Sequence, residues 1–409
     1  MLQDDGTVYK YISNSNPFEY EDGTTAHYDG SDGQVMVEIP AYHHECGNET
    51  INGVQYNYIK LYPDINLGVT SKKCYIGAFE LVQNNSDNNS AKGCSVSMLD
   101  LSAMQITTST TSVNAADVQY LSDAATYRNY NYNNTDTTSV KCSYGRPTTN
   151  RSRSIFRDMC KRRGTNWSQQ SWDAYNSLLR LYFVEYANFN SQESFNSLLT
   201  ADGYKQGGLG IGVTNANGSQ WNSFNEYNSF IPCGLTIGLG NNSGYVSYVF
   251  ATGEWTSSAS YTTYVNSYRG IELPFGHVWK FIDGLNRQGS VDENQATIEK
   301  IYICNDVSKF AENAATGYTL VSYTAPRTGG NVGGIVLDKE GTFWPKPGGS
   351  TIYGDYFYNA YANAVWYTLY AGGGAYGGSC AGLLCFDAGG GASSAAARVG
   401  SRLLYTNSD

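Results

Sequence analysis

Along the first third of the chain, short apolar and aromatic runs alternate with polar turns. VMVEIPAY (35–42), YNYIKLY (56–62) and CYIGAFELV (74–82) are spaced by Gly, Asn and Asp, the pattern of short strands. QNNSDNNSAKGCS (83–95) and NYNYNNTDTTS (129–139) are polar and read as loops. The period changes after residue 150. In SRSIFRDMCKRRG (152–164), Ile155, Phe156, Met159 and Cys160 recur at helical spacing and Gly164 ends the run. A second helix is predicted over about 169–187, where Trp172, Tyr175, Leu178, Leu179, Tyr182, Phe183 and Tyr186 form one apolar stripe suited to a core. Beyond residue 205 short β segments return: GYVSYVFAT (244–252), RGIELPFGHVWKFIDGLNRQG (269–289), KIYICND (300–306) and the aromatic-dense stretch 341–373. The pattern predicts an α+β chain. A β-rich domain over 1–145 is expected to precede a domain over 146–409 with two helices and many short antiparallel strands.

Composition narrows what such a chain does. The 409 residues include 35 Tyr and 45 Gly, and only 15% are charged. Tyr offers rigid amphipathic contact area, while Ser, Gly and Asn offer adaptable hydrogen bonds, the mixture found in binding surfaces. Net charge is −10, which argues against phosphate-backbone binding. One basic cluster stands out: Arg151, Arg153, Arg157, Lys161, Arg162 and Arg163, whose spacing predicts a solvated helix face. No run of about 18 apolar residues occurs, so no membrane insertion is expected. MLQDDGTVYK lacks the basic and apolar regions of a signal peptide, so production in the cytoplasm without one is expected. Nine cysteines at irregular spacing, without a C-x-x-C pair, read as reduced buried thiols rather than a zinc site or disulfide framework.

Candidate chemistry is sparse. His43 and His44 are adjacent, and neighbouring strand residues face opposite sides, so they do not share a metal. His277, in an aromatic run, is expected to be a hydrogen-bonded core histidine. No nucleophile elbow, H-E-x-x-H or P-loop occurs. Neither a catalytic residue nor a cofactor is called, although a structural calcium stays open.

The most informative signal is an absence. Lys, Glu, Gln, Met and Trp occur 53 times in residues 1–366, and none occurs in the final 43 residues, where about six would be expected. A disordered Gly/Ser tail is usually rich in Glu, Gln and Lys. The five missing types share one property: none has a codon ending in a pyrimidine. Free replacement of the two adenines of an Asn codon yields only the residue types that remain.

The string LYAGGGAYGGSCAGLLCFDAGGGASSAAARVGSRLLY (369–405) resembles the variable region of proteins diversified by diversity-generating retroelements. Trp366, Leu369, Gly372 and Gly373 match one fixed stretch of that family. Gly378, Ala381, Gly382, Leu383 and Leu384 match a second, and Ser393, Val399, Gly400, Arg402 and Leu403 a third. Where the family's undiversified pattern tends to show Asn, this chain has Asp387, Gly389, Gly390, Ser394, Ala396 and Arg398. RGIELPFGHVWKFIDGLN and the helix ending LYFVEYANFNSQ are similar to upstream segments of the same proteins. The resemblance covers about 150–409 and implies a C-type-lectin fold of the formylglycine-generating-enzyme type. DGSDGQVMVEIPAYHH (29–44) is similar to a segment of phage tail-fibre and tail-tip proteins.

Together these imply a non-enzymatic, receptor-binding adhesin of a bacteriophage virion, a tail-fibre protein that recognises a bacterial surface protein or glycan and joins other tail proteins, with a homotrimer plausible. The variable region spans about 350–405. The positions expected to bind ligand are Tyr353, Asn359, Tyr361, Tyr367, Gly374, Tyr376, Cys380, Cys385, Asp387, Gly389, Gly390, Ser394, Ala396 and Arg398. Trp366, Leu369, Leu383, Leu384, Val399 and Leu403 should be buried, with Arg402 anchoring the last strand. Two alternatives stay open: a formylglycine-generating-enzyme-like oxidase using Cys380 and Cys385, and a structural virion protein without diversification.

Overall fold

The strands read from the alternating runs are present, and their partners lie far away in sequence. A computed structural model of the chain describes residues 1–63, 67–85, 89–104, 106–108, 112–114, 117–119, 121, 145–195, 231–250, 261–291, 297–321, 328–338, 342–348, 354–359 and 364–407. Met36–Ile39 pairs with Cys74–Glu80 in register Val37 to Ile76. Cys74–Glu80 pairs in turn with the C-terminal strand Arg402–Thr406, which pairs on its other side with Trp167–Gln169. The boundary expected near residue 145 is therefore crossed by a four-stranded antiparallel sheet. One buried cluster also crosses it, gathering Ile39, Cys46 and Ile76 with Leu178, Ile282, Leu369 and Leu404. The physical reason is that strand Cys74–Glu80 is buried along its whole length and must be covered on both faces.

Two helices sit where their stripes predict. α1 spans Arg153–Lys161, capped by Ser152, whose hydroxyl accepts the Ile155 N–H. α2 spans Trp172–Tyr186, capped by Ser171, and ends at Ala187, whose left-handed φ of 48° lets its N–H reach the Phe183 carbonyl. It starts with the first residue of the stripe, three later than the range predicted, because Trp167–Gln169 is drawn into the edge of the sheet. From Trp172 to Phe183 the stripe is buried, and Tyr186 packs at its margin. A short third helix, α3, spans Ser191–Phe195.

The basic cluster is corrected. Arg151, Arg153 and Arg157 are buried, not solvated. The Arg157 guanidinium grips Asp283 through two hydrogen bonds of 2.6 and 2.9 Å and reaches Glu312 at 2.7 Å. Arg153 donates to Glu312, Asn286, the Leu285 carbonyl and the Thr368 hydroxyl. Buried charge is tolerated there because every guanidinium faces acceptors.

A second sheet carries the candidate site. Its order is Thr319–Leu320, Thr297–Ile303, Trp279–Val291, Trp366–Ala371 and Phe386–Asp387, with Val399–Gly400 adding in parallel beside Trp279. A third unit, Gly330–Leu337, Phe343–Pro347 and Tyr356–Phe357, closes over α2, and the hairpin Tyr42–Ile51 and Val54–Tyr62 projects beside it. Among the described residues no helix is long and apolar enough to cross a membrane.

Candidate ligand-display surface

The C-terminal forty residues wind back and forth across the end of this second sheet. Strand Trp366–Ala371 enters with Leu369 fully buried. Gly372 and Gly373, at φ of 93° and 72°, turn the chain, and a Cβ on Gly373 would meet the Ala381 backbone at 2.8 Å. A 3-10 helix over Ala375–Cys380 follows, its first N–H bonded to the His277 carbonyl at 2.9 Å.

The turn 381–384 is held from below by buried polar groups. Tyr175 of α2 donates to the Leu383 carbonyl at 2.6 Å, and Gln192 of α3 donates to the Ala381 carbonyl at 3.0 Å. The Asp355 carboxylate accepts from the Ser191 hydroxyl and the Leu384 N–H, both at 2.7 Å. Gly382 packs directly on that carboxylate, and any Cβ there would overlap it. Burial raises the Asp355 pKa to about 7 against the pull of these hydrogen bonds.

The last strand is anchored the same way. Arg402 is buried and donates to the carbonyls of Gly77, Ala78 and Leu273. Beside it, Glu80 contacts His277 and pairs with Lys280 at 2.7 Å. Burial opposes ionisation of Glu80, but the His277 and Lys280 charges outweigh it and bring its pKa down to about 2. The roles expected of His277 and Arg402 are the ones observed. Leu369, Leu383, Leu384, Val399 and Leu403 are buried as expected; Trp366 is half-buried instead, its ring against Tyr302 at the sheet margin.

Between these two anchored pieces runs the loop 387–398, and here the chain is exposed. Ser393, Ser394, Ala395 and Arg398 face solvent, and Asp387, Gly389, Gly390, Gly391, Ala396 and Ala397 are half-buried. The loop is tied down by its backbone. Thr368 N–H bonds the Gly390 carbonyl at 2.9 Å, Tyr370 donates its hydroxyl to the Gly391 carbonyl at 2.9 Å, and Trp279 N–H bonds the Arg398 carbonyl at 2.9 Å. Within it, Ala388 and Ala392 are buried and point inward from the otherwise surface-lying stretch.

Compared with known proteins, the chain matches no family model and no curated protein sequence.

The expected ligand positions divide into groups. Asp387, Gly389, Ser394, Ala396 and Arg398 lie on the loop with exposed or half-buried surface, and Cys380 is half-buried at the end of the 3-10 helix. Tyr367, Gly374 and Cys385 are buried, so their expected contact with ligand is corrected. Tyr367 lies under the Arg287 guanidinium, 4.7 Å from its ring. Gly390 is partly exposed, yet a Cβ there would overlap the Tyr370 ring, so this position is closed to side chains in the present packing. Asn359 is half-buried and donates to Glu299 at 2.9 Å, while Glu299 forms a bidentate pair with buried Arg287. Tyr353 and Tyr361 lie outside the described residues, as does the side chain of Tyr376, whose backbone belongs to the 3-10 helix.

The sequence reading missed Tyr358. It is 36% exposed and hydrogen-bonded on both sides to the strand at Phe386 and Ala388. The signal was available in DYFYNAY, where Tyr356 and Tyr358 alternate at strand spacing and share a face.

For thiol chemistry the geometry is unfavourable. Burial pushes the Cys385 thiol well above its ordinary value, and the nearby Asp355 raises it further. Reactive thiols need the opposite environment, exposed and electropositive. Among the described residues no cluster of His, Cys, Asp and Glu could hold a metal ion.

Proposed function

We propose that this chain is a receptor-binding adhesin of a bacteriophage virion. On this reading its C-terminal region has a C-type-lectin-like fold and displays a surface rewritten by a diversity-generating retroelement. The observation that carries the reading is the division of labour within 381–403. The positions matching the fixed motif are packed, Ser393 on the exposed loop excepted, whereas the positions expected to vary fall mainly on the loop 387–398. The absence of Lys, Glu, Gln, Met and Trp after Trp366 supports it from an independent direction. A rigid frame beneath variable side chains is what a binding surface needs, because ordering a loop on contact costs affinity. The buried Cys385 lends no support to the oxidase alternative.

Sequencing the gene in a population of the source organism tests this. Substitutions should concentrate at codons of the loop 387–398 and spare 381–384 and 399–403. Variation spread evenly through the chain would exclude diversification. Binding of the purified protein to bacterial cells tests the adhesin function directly, and failure to bind any strain of a broad panel would count against it.

A further inference from the structure

Resting on the adhesin reading, we propose that the surface between Tyr358 and Arg398 is a binding site for a neutral saccharide of the bacterial surface. The Tyr358 ring meets Trp279 there, and backbone contacts hold Arg398 and Asp387 beside that pair. The Tyr358 ring stands edge-on to Trp279 at 5.8 Å and lies 4.4 Å from Tyr356. Trp279 holds the Arg398 carbonyl through its backbone N–H, placing the exposed Arg398 at the same margin. Asp387 is the direct neighbour of Tyr358 across an isolated parallel bridge. Its carboxylate is pre-set by the Gly389 N–H at 2.8 Å, and Arg398 acts on it electrostatically.

Between these groups the chain reads Gly389, Gly390, Gly391, Ala392, Ser393, Ser394, Ala395, Ala396, Ala397. That stretch carries only small side chains. An aromatic ledge beside it presents a π-face to the C–H side of a pyranose ring. A carboxylate that accepts and a guanidinium that donates through a planar fork suit vicinal hydroxyls. One acid and one base leave the patch without a net charge to select an acidic sugar.

A protein ligand fits less well. Protein interfaces are anchored by large apolar and aromatic side chains at the centre of the patch. Among the described residues from 354 to 407, the large apolar side chains exposed by a third or more are Tyr358 and Val365. Asp387 pairs with Tyr370, so Val365 is five residues further along that strand, about 17 Å away.

The test uses the full-length protein on a printed panel of neutral and acidic bacterial polysaccharides, and on fixed bacterial cells treated with periodate or trypsin. Saturable binding to at least one neutral polysaccharide is expected, weakened about ten-fold or more by Tyr358→Ala and by Arg398→Ala. Tyr358→Phe, which keeps the ring, and Val184→Ser, on the exposed side of α2, should bind as the parent does. Because Arg398 is solvent-facing, its variant tests the site even if Tyr358→Ala fails to fold. Polysaccharide binding unchanged in both folded Ala variants overturns the site. Cell binding removed by trypsin and spared by periodate overturns the saccharide assignment and leaves the adhesin reading standing. Absence of binding to every polysaccharide and every cell overturns both.

Discussion

The turn 381–384 and the loop 387–398 are separated by two residues and follow opposite rules. In the turn, four backbone groups meet specific buried partners: Tyr175, Gln192, Ser191 and Asp355. In the loop, carbonyls of Gly390, Gly391 and Arg398 are held by Thr368, Tyr370 and Trp279, while the side chains of Ser394 and Arg398 reach solvent. The difference teaches how a surface can be rewritten without refolding. The hydrogen bonds that fix its position run through the main chain, which every residue type carries.

The sharpest way to break this comparison is to remove an anchor. Arg402→Met strands the carbonyls of Gly77, Ala78 and Leu273 and leaves Glu80 with less compensating charge. A loss of about 3–5 kcal/mol is expected, read as a lower denaturant midpoint or failure to accumulate folded protein.

Titration gives the next effect. The carboxyls of Asp355 and Glu272 are both raised to about 7 by burial, so the native state favours their protonated forms. Their contribution is complete below the unfolded-chain values near 4 and is lost as pH rises toward 7. Stability should therefore fall over that interval, by on the order of 2–4 kcal/mol, and Asp355→Asn should flatten part of the slope in urea titrations at a series of pH values. Glu80 works in the other direction. Its lowered pKa gives stability that is present above about 4.5 and lost as pH falls toward 2.

Two glycines separate close packing from mere location. Gly382→Ala and Gly390→Ala each force a Cβ into a buried neighbour, Asp355 or Tyr370. Each should cost about 1–3 kcal/mol in thermal or chemical melts. If Gly390→Ala proves neutral, the Tyr370 ring yields and the position joins the replaceable set. At the smallest end, Ser394→Tyr and Ala395→Glu should change stability by no more than about 0.5 kcal/mol, since both side chains face solvent. A larger loss at either would erase the distinction between frame and loop.

What the sequence made legible was local. The stripe from Trp172 to Phe183 recurs every three or four residues, so its burial follows from helix geometry. The fate of Arg153 and Arg157 was not legible, because their acceptors lie 126 residues or more downstream and nothing in the spacing names them. The same limit explains the strand Arg402–Thr406: its own alternation marks it as a strand, while its pairing with Cys74–Glu80 is a fact of topology. At the site, only the resemblance marks which positions would be fixed and which would vary, since every residue after Trp366 belongs to the permitted set, and burial does not follow that division. Cys385 and Tyr367 belong to the permitted set and lie inside. Tyr358 stands outside and was overlooked, since an aromatic in an aromatic-rich strand usually reads as core.

The position of Arg402–Thr406 between two earlier strands has a consequence for synthesis. Gly77 waits 325 residues for the guanidinium that caps its carbonyl. Until that strand is made, Cys74–Glu80 and Trp167–Gln169 face each other across a gap that nothing else fills. A chain whose reading frame is lost anywhere in the preceding fifty or so codons never receives it. If the exposed loop is diversified as proposed, closing the sheet would couple folding to a reading frame kept intact through Thr406.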